Sequence, residues 1–258
     1  MTRRLKFFTF AGTIVVIALL IGSIAASGYY KRLFELESAG STNLANGLTW
    51  GQFTHISRQD YGNTTQVYYV SWYGCPIGAA DSWAFYAYFS RAMNMSSYVS
   101  PHYSDPYDSF PNTPGVIFEK QFTVGGVWFH PLYVYNQYMN QTTGGLSVNR
   151  SDSLELGMSL LQSELPQEVY SLERSAMETL PTFGMPGNSA NISSGSILQH
   201  VNTNVIVLGP KGAWILNGPL FTPEFIYGQN ADDLLTGAFS NNEIQTAASL
   251  VGSVIQSD

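Results

Sequence analysis

The sequence predicts an α/β domain, a mixed sheet flanked by helices and carrying a helical insertion, behind an N-terminal transmembrane helix. Three observations predict it. Residues 66–91 run from an almost unbroken β-branched and aromatic segment, Val67 to Trp72, through a tight turn into residues 79–89, which are apolar around nearly the whole circumference. That is the pattern of a strand covered on both faces leading into an interior helix. Residues 152–180 carry two helical periodicities, and residues 201–216 carry two strand-like runs about the turn Gly209-Pro210-Lys211-Gly212.

In chain order, residues 7–30 come first, 24 positions without a charge, with Arg3, Arg4 and Lys6 before them and Lys31-Arg32 after. About 20 apolar residues span a bilayer, whereas a cleaved secretory signal has an apolar core of about 7–15. The length favours an uncleaved signal anchor within residues 1–32; the small residues Ala25, Ala26, Ser27 and Gly28 keep cleavage open as the alternative. The positive charge on the N-terminal side places the N-terminus in the cytoplasm and the domain outside the cell membrane, single-pass. Residues 33–53, small and polar, form a stalk. The folded domain is expected over 54–258, with its insertion at about 136–200.

Within the domain, residues 52–60 suit an edge strand or a short helix. The strand–helix unit follows. Residues 96–113, rich in Pro, Ser and Asp, suit a loop. Residues 115–118 and 121–135 suit paired strands, with Gly125-Gly126 as a hairpin turn. Asp152 with Glu155 has the spacing of a capping box ahead of Leu154, Met158, Leu161 and Leu165, and Pro166 stops that helix. Val169, Leu172, Ala176 and Leu180 mark the second helix, and a flexible loop is expected over 182–196. Residues 231–239 form a short helix. Ser240 and Glu243 suggest a box for the last helix, whose Ile244, Ala247, Ala248, Val251, Val254 and Ile255 share one face.

Composition narrows the setting. The chain is 45% hydrophobic and only 11% charged, against about 25% charged for ordinary soluble domains. Tyr, Ser, Asn, Gly and Thr supply the polarity, a surface suited to an acidic exterior. All 18 acidic residues and six of the 11 basic ones lie beyond Arg32, a formal charge of −12. Such a domain has no electrostatic footprint for nucleic acid. Five Asn-x-Ser/Thr sequons, at Asn63, Asn94, Asn140, Asn149 and Asn191, offer glycosylation sites. A single cysteine forms no internal disulfide, so the core alone holds the domain.

That cysteine lies at the joint. Gly74 permits an unusual backbone angle, Pro76 fits the first helical position, and Cys75 then occupies a helix N-terminus, where free amides and the dipole favour a thiolate. This is the geometry of a thioredoxin-fold active site. The segment CPIGAADSW, residues 75–83, resembles the CPYCAAERW-type signature of the domain-of-unknown-function 929 family, whose members look like extracytoplasmic thioredoxin-fold proteins. Three further segments fit its order: residues 110–114, 201–208 and 215–223. The resemblance covers 54–254 and implies a thioredoxin-like fold with the two helices inserted between its halves. It departs from the redox pattern twice. Gly78 stands where the second cysteine belongs, and residues 201–204, Val-Asn-Thr-Asn, have no proline where such folds set a cis-proline against the active site.

Two readings of Cys75 follow. As a nucleophile it forms a mixed disulfide that an external thiol resolves; as a small buried residue it is chemically idle. No Lys, Arg or His lies between Arg58 and Arg91, and Asp81 opposes ionisation of the thiol, so the idle reading is preferred. His55, His102, His130 and His200 have no zinc spacing, and Asp105 and Asp108 suit a solvated turn better than a calcium loop. No cofactor is expected. Tyr98, Tyr103, Tyr107 and Phe110 cover the core or, if their loop packs near Cys75, line a partner groove. The expected role is an envelope binding or scaffold module with a degenerate redox site, partnered by the membrane and by an envelope protein. The alternative is a monothiol thiol-disulfide oxidoreductase using Cys75.

Overall fold

The computed structural model describes residues 48–149, 151–179, 181–183, 189–191 and 200–257. The expected membrane segment at 7–30 and residues 33–47 of the stalk lie outside the described residues, and Gln52 and Phe53, expected to close the stalk, belong to the first strand instead. No helix among the described residues is long and apolar enough to cross a membrane. Among the described residues there are ten strands: β1 (Gln52–Ser57), β2 (Thr65–Ser71), β3 (Val99–Tyr103), β4 (Pro114–Phe118), β5 (Phe122–Val124), β6 (Val127–Tyr133), β7 (Pro181–Phe183), β8 (Ser189–Asn191), β9 (Asn204–Gly209) and β10 (Gly212–Asn217). The α-helices are α1 (Pro76–Phe89), α2 (Ser153–Glu164), α3 (Gln167–Thr179), α4 (Ala231–Gly237) and α5 (Asn242–Ser257).

The main sheet has six strands in the order β1-β10-β9-β2-β6-β5. β2 and β6 are parallel, in register from Thr65 opposite Val127 to Ser71 opposite Tyr133, and every other neighbour in the sheet is antiparallel. The run from Val67 to Trp72 occupies the middle of this sheet because both of its faces find apolar partners. Val67 and Tyr69 join one core, with α1, α5 and β4; Tyr68, Val70 and Trp72 join the other, with α2 and α3. A clean polar alternation would have left one face for water.

Helix α1 is buried on nearly every side, as its all-round apolar sequence requires. Its Trp83 indole donates to the Pro114 carbonyl at 2.9 Å, and the Ser82 hydroxyl accepts from Val116 N at 2.8 Å. These bonds fix α1 against β4. Gly115 allows the approach, since a Cβ there would lie 2.7 Å from the Ala79 backbone. Phe129 centres the core on that side, with Phe118, Phe122 and Phe89 rings 4.7–5.1 Å away.

Several local expectations are corrected. Residues 52–57 take the first of their two expected forms, an edge strand paired to β10. The Pro-rich segment 96–113 contains β3, which pairs with β4 rather than leaving β4 to the β5–β6 hairpin. Pro101 is tolerated because β3 is an edge, where a missing N–H costs no ladder bond. Gly125 and Gly126 do form the hairpin turn, with φ of 57° and 82°. Asp152 accepts from Asn149 N outside the helix instead of capping it. The last helix is capped by Asn241, which accepts from Glu243 N and Ile244 N, not by Ser240. Asn94 lies beyond the end of α1, which closes at Ser90. The stretch 182–196, expected to be a loop, includes a short antiparallel ladder of β7 with β8.

Candidate functional site

Cys75 is the N-cap of α1, at the junction where β2 gives way to the helix. The turn is built as its residue types require. A Cβ on Gly74 would meet the Gln137 carbonyl oxygen at 2.1 Å and the Trp72 ring at 2.3 Å, so no other residue fits. Pro76 opens the helix where its missing N–H is no loss. The Cys75 sulfur accepts from Gly78 N at 3.5 Å, as a capping side chain does.

The segment at 201–204 reaches this junction from β9. Thr203 Oγ1 donates to the Cys75 sulfur at 3.0 Å and lies 2.8 Å from Ser71 Oγ. With the threonine proton directed at sulfur, the serine proton points at threonine, and the three groups form one buried chain across α1, β2 and the approach to β9. Gly78 completes the packing: a Cβ there would lie 2.1 Å from Ser71 Oγ and 3.0 Å from Thr203 Oγ1. The room that a second cysteine would need is held by these hydroxyls. There is no cis peptide bond at this segment.

The electrostatics run against a thiolate. Cys75 is 5% exposed. Its burial pushes the thiol up to about 11, and the bonds from Thr203 and Gly78 offset only part of that shift. Asp81, a turn further along α1, is 1% exposed, and burial raises its carboxyl well above the usual range; Oδ1 accepts from Leu220 N at 2.7 Å while Oδ2 has no partner. Burial thus favours the protonated form of Asp81 and weakens its opposition to the thiol. An open cleft of about 400 Å³ lies along β6, lined by Tyr73, Lys120, His130 and Tyr133 among others, and Cys75 does not line it.

The other candidates separate. His55 packs on Trp214, His102 on Tyr73, His130 between Tyr68 and Trp128, and His200 against Trp72. Among the described residues no three of His, Cys, Asp or Glu come together. Asp105 and Asp108 accept from the amides of Tyr107 and Ser109, as residues of a turn do. Their loop does pack at the cysteine junction, where Asp105 N donates to the Gly74 carbonyl at 2.9 Å. Asn63, Asn94, Asn140 and Asn149 are exposed.

Two residues of this region were not singled out from the sequence. Ser71 is the one small polar residue in the apolar run of β2. Glu173 is fully buried on α3, its Oε1 accepting from Asn204 Nδ2 at 3.2 Å and its Oε2 unpartnered. Burial pushes its carboxyl up to about 7. The signal was present, because Glu173 falls four residues after Val169 and three before Ala176, on the apolar stripe.

A sealed cysteine at a strand–helix joint of a mixed α/β domain is thus the class of site this chain presents. The chain belongs to the DUF929 family, a domain of unknown function, whose model matches residues 52–257. No curated protein and no solved structure matches it.

Proposed function

We propose that this chain is a thioredoxin-like binding or scaffold module of the cell envelope, with a redox site that has lost its chemistry. The fold reading is supported by the division of the sheet. β2, α1 and β6 make a parallel strand–helix–strand half, β9, β10 and α5 make an antiparallel hairpin-and-helix half, and α2 and α3 are inserted between them. The start of α1 faces the segment before β9, as in a thioredoxin-like site, with Thr203 in contact and no proline. The membrane reading rests on the apolar length of residues 7–30, which would anchor the domain outside the cell, with Asn63, Asn94, Asn140, Asn149 and Asn191 as glycan acceptors.

The observation that carries the proposal is the closed environment of Cys75: a nearly inaccessible sulfur whose ionisation is pushed up to about 11. A monothiol oxidoreductase needs the opposite, an accessible thiolate near neutral pH. The test is alkylation of the native full-length protein with iodoacetamide between pH 6 and 9, read by mass spectrometry beside a urea-unfolded sample. Native Cys75 is expected to stay unmodified while the unfolded chain reacts. Rapid native labelling near pH 7 would instead support the oxidoreductase.

A further inference from the structure

We infer that the end of the domain around the Cys75 junction docks a protein segment bearing Lys and Arg side chains. This deepens the binding-module reading, on which it rests, by naming the face and the chemistry of its partner. Three segments, residues 103–112, 136–141 and 218–237, the last made of a loop and α4, are tied together there. Gln137 Nε2 donates to the Tyr103 carbonyl at 3.0 Å, and Ala231 N donates to the Tyr103 hydroxyl at 3.0 Å. Leu220 N donates to Asp81 on α1, and Gln229 Nε2 to the Phe225 carbonyl at 2.9 Å.

These segments carry five of the nine large hydrophobic side chains that stand exposed among the described residues: Tyr107 at 88%, Tyr227 at 59%, Tyr138 at 56%, Phe225 at 53% and Tyr103 at 37%. Exposed tyrosine and phenylalanine on segments tied together in this way have the composition of an interface core. The charge around them has one sign. Glu224, Asp232 and Asp233 are exposed, and none of the three segments contains a lysine or arginine. An arginine or lysine can lie on a tyrosine face and reach a carboxylate at once. Anionic lipid, which also takes aromatic residues, is repelled by the same carboxylates.

The test uses the full-length protein and a fluorescent decapeptide of alternating Arg and Gly, with an alternating Glu and Gly peptide for comparison. Binding of the Arg peptide is expected to weaken roughly tenfold in Tyr107→Ser/Tyr227→Ser, the size of effect that loss of aromatic anchors gives. Asp232→Asn/Asp233→Asn is expected to weaken binding and flatten its salt dependence. Glu155→Gln/Glu168→Gln, exposed on α2 and α3, is the control for unspecific attraction to the acidic domain and is expected to leave affinity unchanged. Absence of Arg-peptide binding, an equal loss in the control pair, equal binding of the Glu peptide, or recruitment to phosphatidylglycerol vesicles that is lost in Tyr107→Ser/Tyr227→Ser would each overturn the inference. None of those results alters the alkylation outcome at Cys75, so the broader reading stands or falls separately.

Discussion

The Ser71 hydroxyl fills the space into which a side chain at Gly78 would project: a Cβ on residue 78 would lie 2.1 Å from Ser71 Oγ. The absent second cysteine is therefore not a vacancy. The β2 strand has been fitted to it, and the two positions are coupled. Gly78→Ala alone is expected to destabilise the domain by about 1–3 kcal/mol, the usual cost of overpacking. Ser71→Gly in the same chain removes the clash and is expected to recover much of that loss. Urea unfolding of the two single variants and the double variant measures the coupling; additive losses would refute it. Gly78→Cys alone consequently does not restore a dithiol, whereas Ser71→Gly/Gly78→Cys gives the second sulfur room.

Among the described residues Thr203 is the one side-chain donor to the Cys75 sulfur, at 3.0 Å, and it also takes the Ser71 hydroxyl. Thr203→Val keeps the volume and breaks both bonds. Leaving the buried Ser71 hydroxyl with only the Trp72 carbonyl, at 3.5 Å, is expected to cost about 1–3 kcal/mol. The thiol then loses the bond that favours its ionised form, so its folded-state ionisation moves higher still. Thr203→Ser is expected to retain most of the stability. Thermal unfolding of the two variants separates the hydroxyl from the methyl group.

The strand–helix junction was legible because an uninterrupted apolar strand, a Gly-Cys-Pro turn and an all-round apolar helix each have a single physical solution, and they coincide. The insertion helices were legible from the spacing of Leu154, Leu161, Val169 and Ala176. The pairing of β3 was not, since Pro101 and the surrounding polar residues have the composition of a loop, and only contact with β4 makes them a strand. Nor was the state of the cysteine. A helix N-terminus argues for a thiolate, but desolvation under Thr203 and Ser71 is the larger effect, and it is set by residues 128 and four positions away in sequence.

Glu173 gives the stability a pH dependence of definite sign. Its folded carboxyl is pushed up to about 7 from an ordinary 4.5, because it is fully buried with one amide donor. The folded state thus holds this proton more tightly than the unfolded chain. Stability is greatest below the unfolded value, falls as pH rises from there towards the folded value, and levels off above it. The difference corresponds to roughly 3 kcal/mol. Glu173→Gln is expected to remove most of this slope and to be the more stable protein at pH 8. Chemical unfolding of both proteins at pH 4.5 and pH 8 checks it; parallel profiles would show that the carboxyl does not hold the proton.

Asp81 adds to the slope from the opposite face of the sheet, and its geometry separates its two oxygens. Oδ1 accepts from Leu220 N at 2.7 Å and so ties the loop after β10 to α1, whereas Oδ2 is buried without a partner. Burial raises the carboxyl well above its ordinary range, so the folded state favours its proton and the contribution to stability declines as pH rises above the unfolded value. Asn retains the acceptor for Leu220 and cannot ionise. Asp81→Asn is therefore expected to match the parent in acid and exceed it at pH 8, while Asp81→Ala, which leaves the Leu220 amide unpaired, loses about 1–3 kcal/mol at both. Hydrogen exchange at Leu220 distinguishes the two: its protection is kept in the Asn variant and lost in the Ala variant, and loss in both would mean that the loop is held by packing rather than by this carboxyl oxygen.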